Sequence, residues 1–140
     1  MNPGVIDASV VARWFIGDPA DPLVERALVL RAEYRAGRLE IHGPELLPLE
    51  VANAVWKQVR FAGLAPADGE KAVAQLLAYE MVLHPHSRLA SDAFALAIAF
   101  QISVYDAAYV ALARKVNLPF WTLDQKLARA VADTIEVRIA

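Results

Sequence analysis

Short apolar runs rich in β-branched and aromatic residues alternate along this chain with longer stretches whose apolar positions recur at helical intervals. Leu47, Val51, Val55 and Val59, for example, are spaced as on one buried face of a helix. This alternation predicts an α/β domain with a mainly parallel sheet. The five predicted strands are Gly4–Ile6, Leu39–His42, Met81–Leu83, Phe120–Thr122 and Ile135–Arg138.

Prolines, glycines and small polar residues punctuate the stretches between these strands and mark the predicted helix ends. The predicted helices are Ala8–Phe15, Asp21–Ala36, Pro44–Ala62, Pro66–Tyr79, one from a cap at Ser87 or Ser91 to Gln101, Asp106–Lys115 and Asp124–Ala132. Because no linker, repeat or low-complexity segment divides the chain, residues 1–140 are expected to form a single domain.

The composition narrows the class of protein. Hydrophobic residues make up 57% of the chain and mean hydropathy is +0.34, which favours a tight core and an interface covered by oligomerisation. A net charge of -2 gives no overall nucleic-acid signature, so only a local basic patch could serve that role. The absence of cysteine excludes disulfides and thiolate metal sites. With no signal peptide and no long apolar run, we expect a soluble, cytoplasmic protein.

Four carboxylates stand in or beside apolar stretches, where a charge is unfavourable. They are Asp7, Glu50, Asp106 and Asp124. A buried anion is normally paired or bound to a metal, and no lysine or arginine is directly adjacent to any of the four. If the four lie together, a shared divalent cation is the simplest solution, and all-oxygen ligation suits Mg²⁺ or Mn²⁺. One carboxylate could also act as general base on a metal-bound water.

Each aspartate also has an ordinary structural interpretation. Asp7, Asp106 and Asp124 all precede predicted helical turns, where an aspartate commonly caps the helix by accepting a backbone N–H. Capping does not explain Glu50, which is predicted to lie inside a helix beside Leu47. The joint pattern is therefore more informative than any one acid.

Two hydroxyls accompany the acids. Ser9 could hold a phosphate or a metal-bound water, or be a plain helix-start serine. Thr122 is predicted to share a strand side with Asp124 and could donate a hydrogen bond to a ligand carboxylate, or simply favour a strand. The three histidines, His42, His84 and His86, lack the spacing of a metal site and are interpreted as surface residues.

Four stretches of this sequence resemble one known family. They are Val5–Val11, Leu47–Ala54, Tyr105–Ala113 and Thr122–Leu127. In this order and at these separations the chain resembles PIN-domain proteins, and more narrowly VapC-type toxins of bacterial and archaeal toxin–antitoxin pairs. The resemblance covers essentially the whole chain. It implies an α/β/α sandwich with a five-stranded parallel sheet, and a Mg²⁺- or Mn²⁺-dependent endoribonuclease.

The resemblance also implies roles for particular residues. The family acids correspond to Asp7, Glu50, Asp106 and Asp124 as metal-binding and catalytic residues, and its hydroxyls correspond to Ser9 and Thr122. Where some relatives carry a further acid, this chain has Gln125-Lys126, so a second metal ion is not implied. The family further implies a homodimer and a VapB-like antitoxin that packs over the active site.

RNA approaching four acids would need cations at the rim of the site. The candidates, each near a proposed catalytic segment in sequence, are Arg13, Lys57, Arg60, Lys126 and Arg129. Any one of them could instead belong to a solvated helix face. Two other functional classes remain open. One is a Mg²⁺-dependent phosphohydrolase or phosphoacceptor domain, and the other is a catalytically silent interaction module.

Overall fold

The computed structural model describes all 140 residues, and its strand boundaries lie within two residues of the predicted ones. The strands are β1 (Asn2–Ile6), β2 (Leu39–Pro44), β3 (Met81–His84), β4 (Phe120–Thr122) and β5 (Val137–Ile139). Val5, Ile6 and Ile41 are completely buried, as expected for central strands covered on both faces.

All neighbouring strands are parallel, and their order across the sheet is β3-β2-β1-β4-β5. Val5 pairs with His42 on one side of β1, and Ile6 pairs with Trp121 on the other. The strands β2 and β3 therefore lie on one side of β1, and the strands β4 and β5 lie on the other side. This confirms the predicted five-stranded parallel sheet flanked by helices, and it creates a topological switch point between β1 and β4.

Seven α-helices connect and flank the strands. They are α1 (Ala8–Ala12), α2 (Pro22–Arg35), α3 (Leu47–Phe61), α4 (Pro66–Leu77), α5 (Ala90–Phe100), α6 (Val104–Val116) and α7 (Gln125–Val131), with a 3-10 turn at His86–Arg88. Asp21 caps α2 by accepting the N–H of Leu23 at 2.9 Å, with Pro22 in the first turn. None of these helices alone has the length and apolar content needed to cross a bilayer.

The predicted start of the third helix at Pro44 is wrong. Gly43 and Pro44 extend β2 alongside β3, where Pro44 pairs with His84. Because the strand continues further than predicted, α3 begins only at Leu47. Glu50 therefore lies in the first turn of α3, near the carboxyl ends of the strands, rather than in the middle of the helix.

The prediction that Asp106 opens the next-to-last helix is also wrong. The helix α6 begins at Val104, and Ser103 is its cap, with the Ser103 hydroxyl accepting the N–H of Asp106 at 3.0 Å. A serine is a preferred cap residue, and because Ser103 caps α6, Asp106 does not. The Asp106 carboxylate is consequently available for other contacts in the first turn of α6.

Neither predicted serine caps α5. Ser87 lies inside the 3-10 turn, and Ser91 is already the second residue of the helix. Leu89 occupies the cap position and supplies no side-chain hydrogen bond, since it has no polar atom to offer. The intervening 3-10 turn is the feature that the sequence pattern did not reveal.

The helix α6 is the centre of the core. Its residues Ala107–Ala113 are all buried, and it packs against β1, β2, β4 and α5. Four of these seven residues are alanines, whose small side chains allow close approach of the helix to the sheet. Tyr109 is the one large polar-tipped side chain in this segment, and it is completely buried.

Candidate active site

The order of the strands brings two of the predicted acids to one place. Asp7 directly follows β1, and its N–H donates to the carbonyl of Trp121 in β4 at 2.9 Å. Asp124 follows the end of β4 at Thr122 by two residues. Since β1 and β4 flank the switch point, both acids lie at the crevice where open parallel sheets place their functional groups.

Asp7 is the only charged side chain among the buried residues, with 5% of its surface exposed. The hydroxyls of Thr122 and Ser9 both donate to the same carboxylate oxygen, Oδ2, at 2.8 and 2.9 Å. Asp7 occupies the cap position of α1 but makes no capping hydrogen bond, so the capping interpretation is wrong for this residue. Its second oxygen, Oδ1, accepts no hydrogen bond from a side chain.

Burial is the main cause of an unusual pKa at Asp7. It raises the pKa of this carboxyl from 3.8 to about 6, against the lowering effect of the hydrogen bonds from Thr122 and Ser9; the charge of Asp106 raises it further. A carboxylate in this environment is costly to ionise unless a positive charge is nearby. No lysine or arginine forms an ion pair with it.

The two hydroxyls also connect Asp7 to the segment after β4. Ser9 Oγ accepts the N–H of Leu123 at 3.2 Å, and Thr122 Oγ1 accepts the N–H of Asp124 at 3.0 Å. Thr122 was expected to donate a hydrogen bond to a carboxylate of the site, and it does so to Asp7. Both hydroxyls therefore fix the position of one acid while shaping the turn that carries another.

Glu50 approaches the same region from the first turn of α3. Burial raises its pKa to about 7, the neighbouring Tyr109 hydroxyl lowers it, and the charges of Asp7 and Asp106 raise it. Its Oε1 atom is buried and has no hydrogen-bond partner. An unsatisfied buried carboxylate oxygen is rare in folded proteins and calls for a physical reason.

Asp106 and Asp124 complete the group, although their surroundings differ. Burial raises the pKa of Asp106, as does the charge of Asp124, while the hydrogen bond with Ser103 lowers it. Asp124 is exposed and caps α7, accepting the N–H of Leu127 on Oδ1 at 3.0 Å. The capping interpretation is thus correct for Asp124, whose other oxygen does not take part in the cap.

The four carboxylates share one electrostatic neighbourhood. The charge of Asp106 acts on Asp7 and Glu50, and that of Asp124 acts on Asp106. In this arrangement no three of them are close enough to bind one ion together. Mg²⁺ commonly takes one or two carboxylates directly and keeps several waters. The all-oxygen donors and the unpartnered Glu50 Oε1 therefore fit a hydrated Mg²⁺ or Mn²⁺ ion.

A cleft of about 910 Å³ opens beside Ser9 and Glu50, between α1 and α3. Of the five predicted RNA-binding cations, Arg13 and Lys57 line it. Arg13 is half-buried and donates to the carbonyl of Ser9 at 2.7 Å, which holds a positive charge at the edge of the acidic group. Exposed apolar side chains of Leu49, Trp56 and Tyr105 form much of the remaining wall.

The other three predicted cations do not line this cleft. Arg60, Lys126 and Arg129 are exposed, and the Arg60 guanidinium lies over the ring of Phe61 at 5.2 Å from its centroid. Lys126 and Arg129 belong to α7, which begins beside Asp124. The structure therefore separates the candidates into two in the cleft and three outside it.

One polar residue of this region was not singled out from the sequence. Tyr109 lies three residues after Asp106 on α6, and its buried hydroxyl has no hydrogen-bond partner. The burial of the hydroxyl and the charge of Glu50 raise the pKa of Tyr109 far above its ordinary value. A tyrosine within the run Ala107–Ala113 was the available signal, because a phenylalanine would fill the same space without a polar atom.

The interpretation of all three histidines as surface residues is wrong for two of them. His42 and His84 are half-buried, and their nitrogens Nδ1 and Nε2 lie 3.0 Å apart. They meet because β2 and β3 are adjacent, with His84 two positions beyond the direct partner of His42. His86 is exposed as expected. The strand order, which determines this contact, could not be derived from histidine spacing.

Comparison with known proteins identifies the family. The family model described as the PIN domain matches residues 4–132. Together with the parallel sheet and the acids at its switch point, this match shows that the chain belongs to the PIN-domain family.

Within that family the chain is of the VapC type. It is 36% identical over 126 residues to Ribonuclease VapC3 of Pyrobaculum aerophilum, with 89% of this chain and 91% of the relative covered. It is 27% identical over 139 residues to Ribonuclease VapC1 of Mycobacterium tuberculosis, with 99% and 98% covered. The resemblance noted in the sequence is thereby confirmed.

Solved structures support the fold independently. PAE2754 from Pyrobaculum aerophilum superposes with a TM-score of 0.66 at 21% identity, covering 96% of this chain and 90% of the other. FitAcB from Neisseria gonorrhoeae gives a TM-score of 0.62 at 14% identity, with 95% and 94% covered. At these identities the likeness concerns the fold alone.

Proposed function

We propose that this protein is a cytoplasmic Mg²⁺- or Mn²⁺-dependent endoribonuclease and the toxin of a type II toxin–antitoxin pair. The observation that carries the proposal is the gathering of four acids around the carboxyl ends of β1 and β4, where no lysine or arginine forms an ion pair with any of them. The ribonuclease names of the VapC relatives support the reaction class. A cluster of like charges without a basic partner is suited to a divalent cation.

In this proposal Asp7, Asp106 and Asp124 hold the cation directly or through water, and Glu50 completes the shell or orients a water. When bound, the ion would polarise the phosphodiester and supply a more acidic water as nucleophile. Thr122 and Ser9 keep the Asp7 carboxylate in one orientation through their hydrogen bonds to Oδ2. The buried position of Asp7 limits solvent access to this part of the site.

Arg13 and Lys57 are proposed to receive the RNA backbone in the cleft beside the acids. The exposed rings of Trp56 and Tyr105 offer surfaces on which unpaired bases can stack. Single-stranded RNA is the form that such a combination of cations and aromatic rings accommodates best.

The substitution of Arg13 and Lys57 by alanine should weaken RNA binding and reduce its salt dependence, since fewer counterions are released. The matched control is the double alanine variant of Lys126 and Arg129, which removes the same charge outside the cleft. Fluorescence anisotropy with a short labelled RNA at several salt concentrations measures both. Equal losses in the two variants would contradict a role for the cleft.

The same cleft is the proposed docking site of a VapB-like antitoxin. Its walls carry exposed Leu49 and Trp56, which suit an amphipathic helix. Its acidic end suits a basic side chain from that partner. Because RNA and the antitoxin would occupy the same cleft, the proposal predicts that they compete for binding.

A homodimer is also part of the proposal. Phe94 and Ile98 are 60% and 65% exposed and lie one turn apart on α5, so they form an apolar patch. Replacing Ile98 with aspartate should shift a dimer towards monomers in sedimentation velocity. Aspartate at Leu77, an equally exposed position on α4, is the control. A wild-type protein that sediments as a monomer at high concentration would contradict the dimer.

The decisive test of the nuclease proposal is RNA cleavage with Mg²⁺ or Mn²⁺, with EDTA, and with Asp106→Asn. Asparagine preserves shape but removes the charge, so we expect cleavage to be lost with EDTA and in the variant. Asp92 lies in the first turn of the neighbouring helix α5 and is exposed, which makes Asp92→Asn a matched control. Full activity of Asp106→Asn, or cleavage that persists in EDTA, would contradict the proposal.

No observation favours the alternative of a phosphoacceptor or phosphohydrolase with an aspartate nucleophile. That chemistry would be expected to place a second acid shortly after Asp7. The residue two positions on is Ser9, and its hydroxyl donates to Asp7 itself.

A further inference from the structure

Tyr109 and Glu50 carry the two unsatisfied polar atoms of the protein interior. Glu50 Oε1 and the Tyr109 hydroxyl oxygen are the only buried side-chain nitrogen or oxygen atoms without a hydrogen-bond partner. The two side chains are within reach of a hydrogen bond with each other, but neither Glu50 Oε1 nor the Tyr109 hydroxyl makes one of good geometry. A buried donor and a buried acceptor lie side by side without forming a well-aligned hydrogen bond.

The fold itself gives no reason for the Tyr109 hydroxyl. The ring packs in the core, with the Phe120 ring centroid 6.1 Å away, and a phenylalanine would keep those contacts. An unpartnered buried hydroxyl destabilises a folded protein. A tyrosine at this position therefore reduces stability unless the hydroxyl obtains a partner in some functional state.

The helix α6 directs Tyr109 towards the acids. Tyr109 follows Asp106 by three residues, so both side chains lie on the same face of the helix. Glu50 projects to the same region from the first turn of α3. Of the groups that act on Tyr109, three are the carboxylates of Glu50, Asp7 and Asp106, and among these Glu50 alone has an unsatisfied buried oxygen.

We propose that Tyr109 is a positioning residue of this site, whose hydroxyl donates a hydrogen bond to Glu50 Oε1 when a divalent cation is bound. The inference rests on the metal-dependent function proposed above. The hydrogen bond orients Glu50 and leaves its other oxygen to face the ion or an ion-bound water. Tyr109 itself touches neither the RNA nor the ion in this arrangement.

The test is Tyr109→Phe, which removes a single oxygen atom. We expect the melting temperature of the metal-free variant to equal or exceed that of the wild type. We also expect Mn²⁺ affinity, measured by titration calorimetry, to fall about 10-fold, the usual effect of removing a group that supports a ligand. Higher or unchanged stability together with weaker metal binding is an outcome that a purely structural hydroxyl would not produce.

Tyr34→Phe is the matched control. The Tyr34 hydroxyl accepts the N–H of Glu80 at 2.8 Å, away from the acids, so its loss should lower stability and leave Mn²⁺ binding unchanged. A double-mutant cycle adds specificity: in a Glu50→Gln background, Tyr109→Phe should have little further effect on Mn²⁺ affinity, because the two residues act as one unit.

The outcomes separate this inference from the function on which it rests. A wild-type protein that binds Mn²⁺ and cleaves RNA, with Tyr109→Phe binding Mn²⁺ equally well, would overturn the role of Tyr109 alone. A loss of stability in Tyr109→Phe with unchanged metal affinity would make the hydroxyl structural and also overturn it. A wild-type protein that binds no Mn²⁺ would overturn the inference and the metal-dependent function together.

Discussion

Two clusters of ionisable side chains occupy different halves of the same sheet, and they differ in how completely their hydrogen bonds are made. Between β2 and β3, Glu40 Oε1 lies 2.6 Å from His42 Nε2, and His42 Nδ1 lies 3.0 Å from His84 Nε2. At the β1 and β4 ends, Glu50 keeps an unpartnered oxygen and the neighbouring acids repel one another.

The histidine pair leaves no room for a ligand between its nitrogens. The two rings are inclined by only 28°, and their centroids are 5.3 Å apart. The distance between the centroids exceeds the 3.0 Å between the nitrogens by about twice the distance from a ring centre to its nitrogen. The two nitrogens therefore point directly at each other, as in a hydrogen bond in which one ring donates and the other accepts. The histidine cluster satisfies its own hydrogen bonds, whereas the acidic cluster leaves Glu50 Oε1 buried without a partner.

Asp7→Asn should separate the two kinds of cluster most strongly. We expect RNA cleavage to fall by more than about 100-fold, because the proposed metal site loses one of its negative charges. The metal-free variant should be more stable than the wild type at neutral pH, with a free energy of unfolding about 1–3 kcal/mol higher. The reason is that a raised pKa indicates that the folded state destabilises the ionised carboxylate. Activity assays and urea unfolding measure the two effects. A less stable variant would mean that the charge of Asp7 supports the fold.

Addition of Mn²⁺ should stabilise only a protein with an intact acidic cluster. At 100 times the dissociation constant, binding adds about 2.7 kcal/mol to the free energy of unfolding. Thermal unfolding with Mn²⁺ and with EDTA should show this in the wild type and in His84→Asn, but not in Asp106→Asn. Equal stabilisation of Asp106→Asn would place the ion elsewhere.

The pH dependence of stability should have opposite signs for the two clusters. Asp7 and Glu50 have pKa values raised from 3.8 to about 6 and from 4.5 to about 7. Between the ordinary and the raised pKa of each group, the folded metal-free protein binds more protons than the unfolded chain. The protein therefore loses stability as the pH rises through these two ranges. Burial, followed by the charges of His42, Lys115 and Arg88, lowers the pKa of His84 from 6.5. The contribution of His84 to folding stability is lost as the pH falls below 6.5, because the unfolded chain then binds more protons than the folded protein.

Urea unfolding from pH 5 to 8 in EDTA separates these two contributions. Asp7→Asn should reduce the loss of stability towards high pH, and His84→Asn should reduce the loss towards low pH. Identical pH profiles for the two variants would show that the clusters do not titrate independently.

The smallest expected effect is that of His84→Asn on stability at pH 7.5. It removes one partly buried hydrogen bond, so we expect a loss of about 1 kcal/mol and no change in Mn²⁺ affinity or RNA cleavage. His86→Asn, at an exposed position two residues further on, should change neither property. A large loss of cleavage in His84→Asn would connect the two clusters.

The sequence allowed prediction of the features that depend on local pattern. An acid next to an apolar strand is conspicuous, so Asp7 and Asp124 could be placed at strand ends, and the apolar runs located all five strands. Contacts across the sheet could not be predicted in the same way. The hydrogen bond from Thr122 to Asp7 joins residues 115 positions apart. The sequence pattern indicated only that Thr122 lies on the same side of the strand as Asp124.

The predicted starts of two helices were wrong because two local sequence signals competed at each. Pro44 can open a helix or end a strand, and the pairing of β2 with β3 determines which occurs. Ser103 and Asp106 are both good caps, and the helix begins at the earlier one. The contact of Tyr109 with Glu50 depends on how α3 and α6 pack, which no spacing along the chain encodes.

The shared acceptor at Asp7 has a consequence for protein synthesis. Its Oδ2 atom accepts hydrogen bonds from the hydroxyl of Ser9, two residues further on, and from that of Thr122, 115 residues further on. A nascent chain emerging from the ribosome lacks the second hydroxyl until β4 has been translated. The Asp7 carboxylate can therefore reach its final geometry only after the ribosome has added Thr122, 115 residues later.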